Sequence, residues 1–312
     1  MKQITQRKEK NWRKSFLGDF IVNKNLYLMA LPGLLYYLIF CYGPMYGILI
    51  AFLDYSPAGK ISLDDWVGFK HFIDYFNSPY FFRILKNTLG ISIYSLCVSF
   101  PAPIILAILM NELKNEHFKK SVQTITYIPH FISVVVMAGM IVTFTMKDGI
   151  INDFLALFGI GRSNLLVRPE LFKTIYVFSG IWQGVGWGSI VYLSAICGID
   201  EQLYDAAVVD GANRFHKIIH VTIPGILPTV VTLFIINVGS LLGVGFEKII
   251  LLYNPTTYET ADVISSYVYR KGLEDMQFSF STAVGLFNSV VGLILVTATN
   301  YISKKLQDVS LW

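Results

Sequence analysis

Asp200-Glu201-Gln202-Leu203-Tyr204-Asp205-Ala206-Ala207-Val208-Val209-Asp210-Gly211-Ala212-Asn213-Arg214-Phe215-His216-Lys217-Ile218-Ile219-His220-Val221-Thr222-Ile223-Pro224 reads as helix, glycine turn, helix. Asp200 is placed to cap the first helix by accepting from its free backbone N–H groups. Leu203, Ala206, Ala207 and Asp210 share one face at i, i+3, i+4 and i+7. The paired alanines make that face slim enough to enter a groove on another protein. Gly211 permits the left-handed turn that ends the helix. The second helix leads into an apolar run in which Pro224 and Pro228 interrupt the backbone ladder. By spacing alone, the segment fits an amphipathic loop resting on a membrane surface equally well.

Outward from this loop the chain is apolar. It has 54% apolar and 15% charged residues, against about 25% charged in soluble domains, so the composition is that of a membrane protein. Stretches long enough to cross a bilayer, which takes about 20 helical residues, fall at 26–53, 88–111, 126–146, 174–197, 224–246 and 278–302. The expected fold is therefore all-α with six transmembrane helices. The first run is too long for a cleaved signal peptide and reads as a retained span. Before it, Trp12, Phe16 and Phe20 recur at i, i+4 and i+8 beside Arg13 and Lys14, which fits a surface helix or a disordered basic tail.

Basic residues orient the chain. With both termini cytoplasmic, the inner segments carry Lys2, Arg7, Lys8, Lys10, Arg13, Lys14 and Lys24, then Lys114, Lys119, Lys120, Arg214, Lys217, Lys304 and Lys305. A net charge of +4 is too small to point to nucleic acid. No Asp, Glu, Lys or Arg falls inside the six spans, and the only histidine there is His130 beside Pro129. Ion-coupled carriers usually need such groups, so this absence argues against one. No phosphate-binding loop is present either. Gly59-Lys60 is followed by Ile61 and lacks the upstream glycine, so any ATP chemistry belongs to another subunit. Cys41, Cys97 and Cys197 stand alone in apolar runs and read as small buried hydrophobes. No catalytic or metal site is expected.

Asp205-Ala206-Ala207, three residues to Gly211, nine more, then Val221-Thr222-Ile223-Pro224 resembles the EAA loop of type I ABC importer permeases. The departures, Asp for Glu at 205 and Val and Ile for Ile and Leu at 221 and 223, keep chemical type. The resemblance implies a coupling helix that docks in a cleft of a partner ATPase, with Leu203, Tyr204, Asp205, Ala206, Ala207, Asp210 and Gly211 as its residues. It covers spans two to six, with span one as the extra helix common in the carbohydrate-uptake subgroup. It also implies two ABC ATPase subunits that bind the ATP, a second homologous permease forming a heterodimer, an extracytoplasmic substrate-binding protein, and a bacterial cell membrane. The expected domains are a basic tail at 1–25, the extra helix at 26–53, a permease core at 85–303 with its loop at 199–224, and a cytoplasmic tail at 304–312.

Gly245 to Pro255 with Tyr258-Glu259-Thr260-Ala261-Asp262-Val263-Ile264, Gly285 to Ser289, and Ser310-Leu311-Trp312 are similar to permeases of oligosaccharide or polysaccharide uptake. A sugar site wants aromatic platforms and neutral hydrogen-bonding groups, which Trp182, Gln183, Trp187, Asn237 and Asn288 supply within the spans. The glycines between them, Gly180, Gly184, Gly186 and Gly188, fit close helix packing. The alternative function is an ion-coupled carrier or passive channel, which would call for a buried acidic residue or inverted repeats.

Overall fold

Backbone in lipid has no water to bond, so apolar runs there must close their hydrogen bonds internally as helices. The structure, a computed structural model, describes residues 18–19, 22–56 and 62–307. The surface helix of Trp12, Phe16 and Phe20, the Gly59-Lys60 pair and the terminal Ser310-Leu311-Trp312 lie outside the described residues. Among those described the chain is helical, with one isolated antiparallel bridge between Leu53 and Trp66.

The elements in chain order are α1 (Lys24–Phe52), α2 (Lys70–Phe76), α3 (Phe81–Asn111), α4 (Glu116–Tyr127), α5 (Val134–Thr145), α6 (Ile150–Ala156), α7 (Pro169–Cys197), α8 (Glu201–Val209), α9 (Arg214–Gly239), α10 (Phe246–Leu252), α11 (Tyr258–Ala261), α12 (Ile264–Tyr269) and α13 (Phe278–Gln307). Five stretches are long and apolar enough to cross a membrane: α1, α3, Val134–Ala156, α9 and Phe278–Lys305. At 29 residues α7 is long enough, but Gln183, two tryptophans and the interleaved glycines dilute its mean hydropathy. In Lys24–Tyr36 no residue is buried although the sequence is almost wholly apolar, the signature of a helix solvated by lipid.

The expected span at 126–146 is not one helix. Pro129 ends α4 in a tight turn at Ile128–Phe131, and Ser133 starts α5 afresh by accepting from the Val136 N–H at 3.4 Å. The run expected at 224–246 stops at Gly239, and Gly243 and Gly245 lie in the turn before α10. The three cysteines are free as expected, yet exposed on outer helix faces rather than buried.

Small residues set the packing. Gly186 of α7 lies directly against the Thr126 carbonyl of α4, Gly188 faces the Pro103 ring of α3, and Gly239 of α9 meets Val296 of α13. Close backbone approach of this kind replaces the hydrophobic drive that lipid removes. A buried core joins Ile91 of α3, Met137 and Ile141 of α5, Phe172 of α7 and Ile249 of α10. Near it Asp262, 1% exposed, accepts two bonds from Arg270 at 2.9 and 2.7 Å, one from Ser266 at 2.7 Å and one from Arg83 at 3.4 Å. This clamp ties the start of α3 to α12.

Candidate functional site

Two places carry functional geometry. The first is α8. Asp200 caps it as its sequence position predicts, Oδ1 accepting from the Gln202 N–H at 3.0 Å. Gly211 leaves it at φ +80°, a left-handed geometry that suits a residue without a Cβ. The Gly211 N–H donates to the Val208 carbonyl at 3.0 Å and the Ala212 N–H to the Ala207 carbonyl at 2.8 Å. Asn213 then caps α9, accepting from the His216 N–H at 2.9 Å. Both ends of the turn are therefore built, yet no residue of α8 is buried. Leu203 and Val208 are each 55% exposed and Val209 is 87% exposed. Tyr204 reaches back, its hydroxyl 3.0 Å from the Oγ1 of buried Thr222. Ala207 is half-buried, while Asp205, Ala206 and Asp210 are exposed. The helix is thus preformed, with Leu203, Asp205, Ala206 and Val208 on open faces.

The second place is a cavity of about 470 Å³ among α3, α7 and the end of α9. Ser92, Ser95 and Ser99 line it from α3, Tyr176, Gly188 and Tyr192 from α7, and Asn237 and Ser240 from α9 and its exit. Ser92 donates to the Leu241 carbonyl, and Asn237 Nδ2 donates to the Leu233 carbonyl at 2.8 Å. Hydroxyls, an amide and aromatic rings share the wall with Ile91, Leu96, Val191, Leu233 and Val244, and its lining holds no carboxylate or ammonium.

Of the five cargo residues read from sequence, the cavity gathers Asn237 alone. Trp182 packs near Phe144, ring centroids 6.1 Å apart, in a separate apolar hollow with Ile141 and Phe178. Gln183 donates to the Ile132 carbonyl at 3.2 Å, bridging α7 to the break before α5. Trp187 stacks on His130 at 4.6 Å with an interplanar angle of 1°. Asn288 borders another hollow with Phe246 and Tyr269, its Oδ1 buried without a hydrogen-bond partner. The serines of α3 and the tyrosines of α7 went unnoticed in the sequence. Their signal was the helical spacing of Ser92, Ser95 and Ser99, and the four-residue step from Gly188 to Tyr192.

Residues 99–308, two thirds of the chain including α8 and the cavity's α7 and α9 walls, match the family described as binding-protein-dependent transport system inner membrane component. The chain belongs to this family. Among relatives, the permease is 47% identical over 298 residues to the polygalacturonan/rhamnogalacturonan transport system permease protein YteP of Bacillus subtilis, covering 95% of this chain and 93% of that one. It is 42% identical to protein LplB of the same organism, over 99% and 96%. Among solved structures it superposes with a TM-score of 0.86 and 45% identity on a chain of a bacterial ABC transporter involved in import of the acidic polysaccharide alginate. That match covers 94% of the permease and 99% of the other chain. A second structure of that transporter holds an alginate pentasaccharide-bound periplasmic protein. The permease is thus an inner-membrane component of a type I transport system, and the carrier or channel alternative finds no support.

Proposed function

We propose that the permease is one half of the translocation pathway of an ATP-driven importer, and that it receives an oligosaccharide from an extracytoplasmic binding protein. It crosses the membrane six times with both termini cytoplasmic. It pairs with a second, homologous permease and with two ABC ATPase subunits that bind the ATP; the permease itself has no catalytic residue. Residues 1–25 form the basic tail, 26–53 the extra helix, 85–303 the core with its loop at 199–224, and 304–312 the closing tail.

The observation that carries this reading is α8, capped, terminated by Gly211 and with no residue fully buried. Leu203, Asp205, Ala206, Ala207 and Asp210 present its docking face, and Tyr204 ties the helix to Thr222 so that a push on α8 reaches α9. Closure of the ATPases would draw two such loops together and rock the halves as rigid bodies. For the sixth crossing, α7 at 29 residues is about 43 Å long at 1.5 Å per residue, ample for a bilayer. Its polar side chains are held by neighbouring segments rather than left to lipid, Gln183 by the Ile132 carbonyl and Trp187 by the His130 ring. The neutral cavity supports a carbohydrate, with Asn237 the cargo residue it takes up.

Affinity purification of the tagged permease in mild detergent tests the architecture. An ABC ATPase and a second permease should co-elute, and Ala207→Glu, which fills the slim face with a charged side chain, should release the ATPase while the permease pair persists. A permease that elutes only with itself, even after crosslinking, would refute it.

A further inference from the structure

Between α5 and α7 the chain carries an apolar surface that neither the cavity nor α8 uses. The Val134–Ala156 stretch has the length and hydropathy of a membrane span, yet it turns sharply at 146–149. A Cβ on Gly149 would collide with the Thr143 and Phe144 carbonyls, so the chain folds tightly against the last turn of α5. Asn152, 1% exposed, fixes the fold-back. Its Nδ2 donates to the Met146 carbonyl at 2.7 Å and to the Ser163 carbonyl at 2.8 Å. Beside it Asp153 pairs with Arg162 at 2.7 Å. With its polar groups held in this way, α6 turns an apolar side outward. Ile150, Phe154, Leu157 and Phe158, at i, i+4, i+7 and i+8, are between 59% and 81% exposed. An exposed apolar patch of this kind marks a membrane or protein contact. It lies at the start of α7, the end remote from α8.

Beneath α6 lies a hollow of about 440 Å³, walled by Ile141, Phe144, Ile151, Ile175, Phe178 and Trp182. It follows α7 from Thr174 to Trp182, about 12 Å at 1.5 Å per residue. It therefore runs from near the start of α7 to the middle of that helix. Two hydroxyls on its wall are already spent. Thr145 Oγ1 donates to the Ile141 carbonyl at 2.8 Å, and Ser179 Oγ donates to the Ile175 carbonyl at 2.6 Å. A sugar finds little to bond there, whereas a hydrocarbon chain asks for nothing more. Phe178 and Trp182 are 53% and 38% exposed, so the hollow opens sideways to the chain's surface, where Ile151 joins it to α6. Lys147, exposed and in no ion pair among the described residues, sits at the junction of α5 and α6.

We propose that α6 lies in the membrane interface and that the hollow beneath it holds one acyl chain of a phospholipid, whose phosphate meets Lys147. The occupant follows from continuity and charge. An interfacial helix sinks its apolar face about 5–10 Å into the headgroup boundary, and a 12 Å hollow below it stays within one leaflet of a hydrocarbon core about 30 Å thick. A phospholipid alone brings an apolar chain and an anion to these two places together. Trp182, grouped with the cargo residues by sequence, becomes part of a lipid site. This inference goes beyond the importer reading and does not depend on it.

The test uses the full-length permease in mild detergent, titrated with phosphatidylglycerol brominated midway along its acyl chains, which quenches tryptophan on contact. The share of Trp182 is the difference between wild type and Trp182→Phe. That share should fall saturably at low lipid content and recover when unbrominated phosphatidylglycerol competes. Ile151→Phe, which narrows the hollow from an exposed side chain, should abolish the saturable phase and leave the thermal midpoint unchanged. Lys147→Gln should raise the half-saturating lipid concentration by about threefold, the scale of an exposed ion pair. In vesicles of the brominated lipid, Phe154→Trp should be quenched from the membrane and stay out of reach of aqueous iodide. Quenching of Trp182 that only grows in proportion to lipid, or that persists in Ile151→Phe, would mean bulk lipid alone and overturn the proposal. So would a Trp182 shielded from lipid in the assembled transporter, which would give the hollow to a second permease. Iodide quenching in Phe154→Trp would put α6 in water and overturn it as well.

Discussion

In the proposed docking of α8, Ala207 contributes only a methyl group and Gly211 the absence of a Cβ. Gly211→Val places a β-branched residue at φ +80°, which costs about 1–2 kcal/mol locally. Because the site is exposed, with open space around it, the protein should still fold and show a thermal midpoint in detergent close to wild type, while its transport-linked ATPase falls steeply. These residues were legible in the sequence because spacing, cap and glycine all point one way. Tyr204's turn inward to Thr222 was not, because its partner lies 18 residues on, across a turn whose angle local pattern does not set.

At the scale of elements, the Asp262 clamp decides how α3 and α12 meet. Asp262→Asn leaves Arg270 and Arg83, whose side chains are 23% and 36% exposed, without their counter-charge, a loss of about 1–3 kcal/mol. The variant should unfold at markedly lower temperature in detergent, measured by the thermal midpoint; a midpoint within a degree or two of wild type would show the clamp to be slack. Gly186→Leu should also fail to assemble α4 on α7, because its backbone already touches the Thr126 carbonyl. The sequence located the long helices through sustained apolarity, which survives without tertiary contacts. It missed the break at 128–133, since Ile128 to Val134 stays apolar on average while Pro129 and Ser133 redirect the backbone. It also treated the polar side chains of α7 as one set. Trp182, Gln183 and Trp187 point to three different neighbours once the helix phase is fixed.

Across the whole molecule, a cavity among α3, α7 and α9 and the open face of α8 are the two features that the proposed assembly uses. Few residues of the chain's apolar helices are buried within it, as in α1, so most of their apolar surface faces outward. Membrane class and family could be read from composition and the α8 loop. The cavity could not, because it joins Ser92, Tyr176 and Asn237 from three helices far apart in sequence. The most direct test of the central claim is uptake of a labelled oligosaccharide by the transporter reconstituted in sealed proteoliposomes with its binding protein, with and without ATP inside, for wild type and Ala207→Glu. The account predicts accumulation that requires both the binding protein and ATP, is insensitive to proton and sodium ionophores, and is abolished by Ala207→Glu. Accumulation that proceeds without ATP and collapses with an ion gradient would contradict it.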